Sequence, residues 1–240
     1  MVTFMSNTRS DGPIINRPLH VVELVGPAGA GKTTLSRELS RRNDTIRIAD
    51  PPCARKDRIF FARQSLFMIP TLLSLLKKNG NGRYPTLEEI AWLAILDGWH
   101  HLLQREVQSD GKVVVIDQGA IYLMAELITS GPQHLRSQRG KWWDGIYKQW
   151  AFTVDMVVYL DTSNGGLLER IRNRHTWHIM KDRTKPEVFE FLNHYRGAYE
   201  QVISRLVAND NNLRVIFFDT GIESTAAISN KLFNIFENRT

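Results

Sequence analysis

The sequence is poor in the features that mark secreted or membrane-spanning chains. It has one cysteine, Cys53, so an internal disulfide framework and a cysteine-based zinc site are both excluded. Residues 1–18 hold no apolar core of signal-peptide length and read as a flexible, polar N-terminal tail. The longest apolar stretch, residues 65–76, spans twelve residues and contains Pro70. A bilayer-spanning helix needs roughly 20 apolar residues, so this stretch falls short. Internal repeats and low-complexity linkers are also missing. These absences predict a cytoplasmic protein without a transmembrane segment.

What remains is an ordinary globular composition with a basic bias. The 240 residues, 42% of them apolar, suit a single domain, expected over residues 19–240 after the tail. Lys and Arg number 31 against 25 Asp and Glu, a net charge of +6, which favours an anionic partner. Much of that excess is local: between Arg170 and Lys185 there are six Lys or Arg and one acid, Asp182.

Short apolar runs alternate with helical patterns. Strands are expected over residues 19–25, 45–49, 112–116, 155–160 and 213–218. Residues 112–116 are almost purely β-branched and so predicted to be buried on both faces. Helices are expected over residues 31–42, 185–207 and 224–236, with a further helical region after Asp50-Pro51-Pro52 that Asn79-Gly80-Asn81-Gly82 breaks. Another helix opens at Thr86 with capping-box spacing to Glu89, and its Trp92, Ile95, Leu96, Trp99, Leu102 and Leu103 form one apolar face. Five strands separated by helices predict a parallel sheet covered on both sides.

Two motifs carry chemistry. Gly26-Pro27-Ala28-Gly29-Ala30-Gly31-Lys32-Thr33 matches the phosphate-loop pattern between a strand and a helix, with Thr34 following. Its glycines let backbone amides point at phosphate oxygens, beside the positive end of the next helix. Lys32 is placed to reach the β- and γ-phosphates, and the Thr33 hydroxyl to ligate Mg²⁺. Val113-Val114-Val115-Ile116-Asp117 has the Walker B form, a carboxylate ending a buried strand, which makes Asp117 the second Mg²⁺ residue. The Asn-Lys-x-Asp of GTPases is missing, since Asn230-Lys231 is followed by Leu232-Phe233, and so is the Leu-Ser-Gly-Gly of ABC transporters. Motor and AAA-type ATPases usually need more chain than this, which leaves the small phosphoryl-transfer kinases.

From residue 19 to about residue 236 the chain resembles the thymidylate kinase and deoxynucleoside kinase branch of phosphate-loop kinases. Asp50-Pro51 resembles the acid-plus-proline pair of that branch. The helix over residues 88–106, Gly111 and the strand to Asp117 resemble the segment leading to its Asp-Arg or Glu-Arg motif. Tyr159-Leu160-Asp161 and Leu167-Leu168-Glu169-Arg170-Ile171-Arg172-Asn173-Arg174 resemble the strand and helix feeding an arginine-rich lid, and residues 187–202 the long helix after it. Phe218-Asp219-Thr220-Gly221 falls where the adenine-contacting loop does. The resemblance implies a P-loop NTPase three-layer α/β/α fold with a five-stranded parallel sheet and a lid at about residues 170–185. It implies ATP- and Mg²⁺-dependent transfer of a γ-phosphoryl group to a small acceptor: nucleoside, nucleotide or other metabolite. It also implies a base near the accepting hydroxyl, for which Asp50 and Asp117 are the candidates.

The chain departs from thymidylate kinases at two places. Asp117-Gln118 stands where they have Asp-Arg, and Asp97-Gly98-Trp99-His100 where their preceding helix carries an Arg. Both departures remove cations that an acceptor phosphate would require, so a neutral hydroxyl acceptor fits better. In the lid, Arg174 and Arg183 are the arginines expected to close over the phosphates, with Arg170 in third place. The histidines His100, His101, His175 and His178 lack a third ligand at metal spacing and are expected on the surface or in the lid. Phe60, Phe61 and Phe67 with Arg58 and Arg63 are expected to border the acceptor rather than a membrane. A nucleotide-dependent switch or ATPase module and a polynucleotide-end kinase are the alternatives. Nucleic acid is disfavoured because no aromatic-and-basic module is present, and a homodimer is left open.

Overall fold

The computed structural model describes residues 19–52, 58–77 and 83–237. The expected N-terminal tail, Cys53 and the Asn79-Gly80-Asn81-Gly82 break lie outside them.

Five strands form one all-parallel sheet: β1 (Val21–Val25), β2 (Ile46–Ala49), β3 (Val113–Ile116), β4 (Met156–Asp161) and β5 (Arg214–Asp219), in the order β2-β3-β1-β4-β5. Each lies within a residue or two of its expected span. The all-parallel sheet, layered on both sides by helices, is the α/β P-loop NTPase fold.

Side chains along the strands alternate between two cores, as a period of two demands. Val21, Val25, Val114, Ile116, Val157 and Tyr159 face one side. There they meet α3 (Leu87–Asp110), α4 (Ala120–Thr129), α6 (Lys141–Thr153) and the C-terminal half of α8 (Lys185–Asn209). Val22, Leu24, Val113, Val115, Met156 and Val158 face the other, against α1 (Lys32–Arg42), α7 (Asn164–Arg172) and α9 (Thr225–Glu237). Two helices complete the chain: α2 (Arg58–Lys77), packed against α3, and the short α5 (Gln133–Arg136).

The capping boxes hold. Thr86 Oγ1 accepts from Glu89 N at 3.2 Å while Glu89 returns a bond to Thr86 N at 2.7 Å, starting α3 where the sequence places it. Thr184 and Glu187 repeat the motif at the start of α8, which fixes where that helix begins. Trp99 and Trp150 meet edge to face at 5.9 Å in the first core. Because all strands run the same way, Gly26, Asp117, Asp161 and Asp219 emerge along one edge of the sheet. The crevice there, where the connection after β1 runs to one side of the sheet and the connection after β3 to the other, is the usual place for a ligand in this architecture.

Candidate active site

β1 runs directly into the phosphate loop. Gly26 has φ 139°, and a β-carbon there would collide with the Leu160 carbonyl, so the turn out of β1 requires glycine. Ala30 N donates to Pro27 O at 3.2 Å, closing the loop. The Lys32 stem is partly exposed, but its ammonium curls back into the loop and donates to Gly26 O at 2.6 Å and Pro27 O at 3.2 Å. Burial lowers the Lys32 pKa to about 8, with the Asp117 carboxylate pulling the other way and Arg174 adding to the depression.

At the end of β3, Asp117 Oδ2 accepts from the Thr33 hydroxyl at 2.7 Å, which brings the two motifs together across 84 positions of sequence. Asp117 Oδ1 is buried with no hydrogen-bond partner among the described residues. A hydroxyl beside a carboxylate with an orphaned oxygen is a hard, oxygen-only donor pair, the set that suits Mg²⁺.

Beneath them lies a carboxyl that sequence reasoning missed. Glu23 is the third residue of β1, so alternation turns it to the α4 side, fully buried. Its Oε1 accepts from Ile121 N at 2.9 Å and Tyr122 N at 3.2 Å, satisfying the free amides at the start of α4. Burial pushes its pKa up to about 8 against the pull of those amides. A lone acid inside an apolar strand was the signal available.

A cavity of about 580 Å³ opens over this floor. Gly26, Ala28, Gly29, Ala30, Gly31, Lys32, Thr33 and Thr34 line it; Pro27 does not, its carbonyl being turned to Lys32 and Ala30. Asp117 and Gln118 continue the wall. On one side Thr220, Glu223, Ser224 and Thr225 bring the loop after β5 to the phosphate loop. Arg170 links the two, donating to Gly29 O at 3.3 Å, Thr220 Oγ1 at 2.8 Å and Thr220 O at 2.7 Å. Arg174 also lines the cavity, and no side chain among the described residues pairs with its guanidinium.

Two expected residues stand elsewhere. Arg183 lies outside the cavity wall and pairs with Glu187 at 3.5 Å, at the start of α8. Asp50, exposed just after β2, does not line the cavity either. β2 lies at the edge of the sheet, so β3 stands between it and the β1 end that leads to Lys32, while Asp117 leaves the neighbouring strand, next in register after the Ala49–Ile116 pair.

The opposite side of the cavity was not foreseen. Tyr122 and Glu126 project from α4, four residues apart on one face, and Phe191, Tyr195 and Tyr199 form an i, i+4, i+8 row on α8. Tyr195 Oη donates to Glu126 Oε2 at 2.9 Å, and the rings of Phe191 and Tyr195 lie 4.6 Å apart. Burial raises the Glu126 pKa, and the hydroxyls of Tyr195 and Tyr122 partly counter it. The α8 row was visible in the sequence as a periodic apolar face, indistinguishable there from a core stripe.

The histidines separate. His178 forms part of the cavity wall, with Nδ1 accepting from Met180 N at 3.1 Å. His100, expected on the surface, is instead buried against Trp150, and burial lowers its pKa to about 4. The helical repeat of α3 carries it to the core side beside Trp99, while the next residue, His101, faces solvent. No group of three metal-ligating side chains occurs among the described residues. Phe60 and Phe61 pack against the first core, and no described residue of α2 lines the cavity, so that helix does not border it as expected.

A family model described as an AAA domain matches residues 21–190, so, contrary to expectation, chain length does not set this protein apart from AAA domains. Among solved structures, thymidylate kinase from Candida albicans is 12% identical with a TM-score of 0.50, covering 92% of this chain and 92% of that one. Deoxyadenosine kinase from M. mycoides, with products bound, is 15% identical with a TM-score of 0.50, covering 90% of this chain and 98% of that one. At such identities the likeness is one of fold. No curated protein matches the chain.

Proposed function

The chain belongs to the AAA domain family, and from that membership and the cavity's geometry we propose an ATP- and Mg²⁺-dependent kinase acting on a small neutral hydroxyl acceptor. The observation that carries the proposal is the single cavity in which the phosphate loop and a wall of tyrosines with one carboxylate face each other. A nucleoside triphosphatase needs only the first; the second supplies room and hydrogen-bonding groups for another molecule. Lys32 and Arg174 are the cationic side chains of that cavity besides Arg170, which is committed to Thr220. Both serve the transferred phosphates, which leaves no pair of cations for an acceptor phosphate among the described residues of the cavity.

In this proposal the loop amides and Lys32 hold the β- and γ-phosphates, Lys32 exchanging its bonds to Gly26 O and Pro27 O for phosphate oxygens. Thr33 and Asp117 would hold Mg²⁺, which when bound would neutralise charge on the bridging phosphates. The loop after β5 takes the base of the nucleotide, tied to the phosphate loop through Arg170. Arg174 closes from the lid onto the γ-phosphoryl group as negative charge spreads over its oxygens. Tyr122, Glu126, Phe191 and Tyr195 position the acceptor. Asp50 and Asp117 both stay candidate bases: lining the cavity supports Asp117, and Asp50 follows the paired strand next to it, outside the cavity wall.

The test is ADP release from ATP and Mg²⁺ against a panel of nucleosides, sugars and simple alcohols, with Lys32→Ala as the control. Stimulation by one acceptor class, lost in Lys32→Ala, supports the kinase. Flat basal hydrolysis across the panel points to the nucleotide switch, and stimulation by oligonucleotide ends alone to the polynucleotide kinase.

A further inference from the structure

Helix α2 carries apolar side chains on two faces, and among the described residues only one of them is covered. The inner face is occupied: Met68 is buried, Phe60 and Phe61 pack on the first core, and Gln64 bonds Asp97 of α3. The outer face holds Ile59, Leu66, Ile69 and Leu73, in steps of seven, three and four residues, which places them on one stripe. Ile59 is 86% exposed, Leu66 68% and Leu73 54%, and Phe67 beside them is 65% exposed. Single exposed apolar residues are ordinary, but a contiguous stripe along a 20-residue helix marks a surface that meets something.

The charge around the stripe says what. Helix α2 contains Arg58, Arg63 and Lys77 and no acid at all. The sequence from Arg55 to Lys78 has six Lys or Arg against one acid, Asp57. Arg63 lies over the Phe67 ring at 5.7 Å, its charge at the border of the apolar stripe. Cations flanking an exposed apolar stripe match the interface of an anionic bilayer, where acyl chains take the apolar groups and headgroups the cations. A second copy of this chain fits poorly, because a two-fold contact through α2 would set this excess of positive charge against itself. No described helix is long and apolar enough to cross a membrane, which is consistent with lying on it.

We propose that the outer face of α2, uncovered among the described residues, docks the protein onto anionic lipid surfaces. The proposal does not depend on the kinase reading. The test is co-sedimentation of the full chain with vesicles of phosphatidylcholine, with and without about 30% phosphatidylglycerol. Binding at least tenfold stronger to the anionic vesicles, and weakened by added salt, is expected. Leu66→Glu with Leu73→Glu should lower it at least tenfold, and Arg63→Glu at least about fivefold, since each cation near an anionic surface contributes a factor of this order. These side chains are exposed, and a circular dichroism melt checks that the variants fold. Should the double glutamate variant not fold, a fluorophore at position 66 in a Cys53→Ser, Leu66→Cys chain reads the same contact by its blue shift on vesicle addition. Absence of binding to anionic vesicles overturns the proposal. So does unchanged binding by the double variant, or a dimer in sedimentation that the double variant converts to monomer, which would make the face a self-interface.

Discussion

The Glu23 carboxyl occupies the space that a side chain on Gly119 would need: a β-carbon at residue 119 would lie 2.6 Å from Glu23 Oε2. Strand β1 and the start of α4 are therefore fitted to each other through one buried acid and one missing methyl group. The fit fixes the direction in which α4 leaves Asp117, and with it the cavity wall carrying Tyr122 and Glu126.

Gly119→Ala should therefore destabilise the protein by about 1–3 kcal/mol, the range for overpacking a closed site. The expected result is a lower midpoint in urea at unchanged slope, and reduced acceptor-dependent turnover in the fraction that folds. A wild-type midpoint would show that the α4 start is free to move.

Glu23 also makes stability depend on pH. Its carboxyl is raised from 4.5 to about 8 in the folded protein, so between those values the folded chain holds a proton that the unfolded chain has released. The contribution is full below about pH 4.5 and is lost as pH rises through about 8. Wild type minus Glu23→Gln, compared by urea melts at pH 5, 6.5 and 8, should fall with increasing pH. A difference that stays flat or rises contradicts the assignment.

Lys32 predicts a pH effect on nucleotide binding. Its ammonium has a pKa of about 8 without ligand, and phosphates favour the charged form. Above about pH 8 the affinity for ATP should weaken by up to about tenfold per unit, because binding must first restore the proton. Fluorescent nucleotide titrations between pH 7 and 9.5 check this. Lys32→Ala should bind weakly at every pH, with turnover reduced by about 10²-fold or more.

Asp117→Asn tests the cation site without requiring turnover. Removing the charge beside Thr33 should raise the Mg²⁺ concentration needed for nucleotide binding at least about tenfold, while nucleotide binding without Mg²⁺ changes little. An unchanged Mg²⁺ midpoint would place the cation elsewhere.

The two arginines should separate by parameter. Arg170→Lys cannot keep three bonds from a planar fork, so it should weaken nucleotide affinity severalfold and lower stability. Arg174→Ala should leave affinity nearly unchanged and lower turnover by about 10²-fold or more, as expected for a group acting on developing charge. The opposite pattern would exchange their roles.

Sequence by itself determined the elements with strong local codes. The β-branched run of β3, the capping box of Thr86 and Glu89, and the phosphate loop all state their conformation within a few residues, because steric preference and nearby hydrogen bonds suffice. These also reveal the parallel sheet, since alternating strands and helices admit few other arrangements. Tertiary structure alone decided what faces what. Nothing in a linear pattern distinguishes Phe191, Tyr195 and Tyr199 from a core stripe, or Arg174 from Arg183 further along the same basic segment: packing puts the first on the cavity wall and gives the second to Glu187. Glu23 became legible only when α4 arrived above it with unpaired amides, and α2 showed an uncovered face only when α3 had taken the other. The physical reason is common to all four: a side chain's role depends on neighbours distant in sequence, and burial and charge have no value until those neighbours are in place.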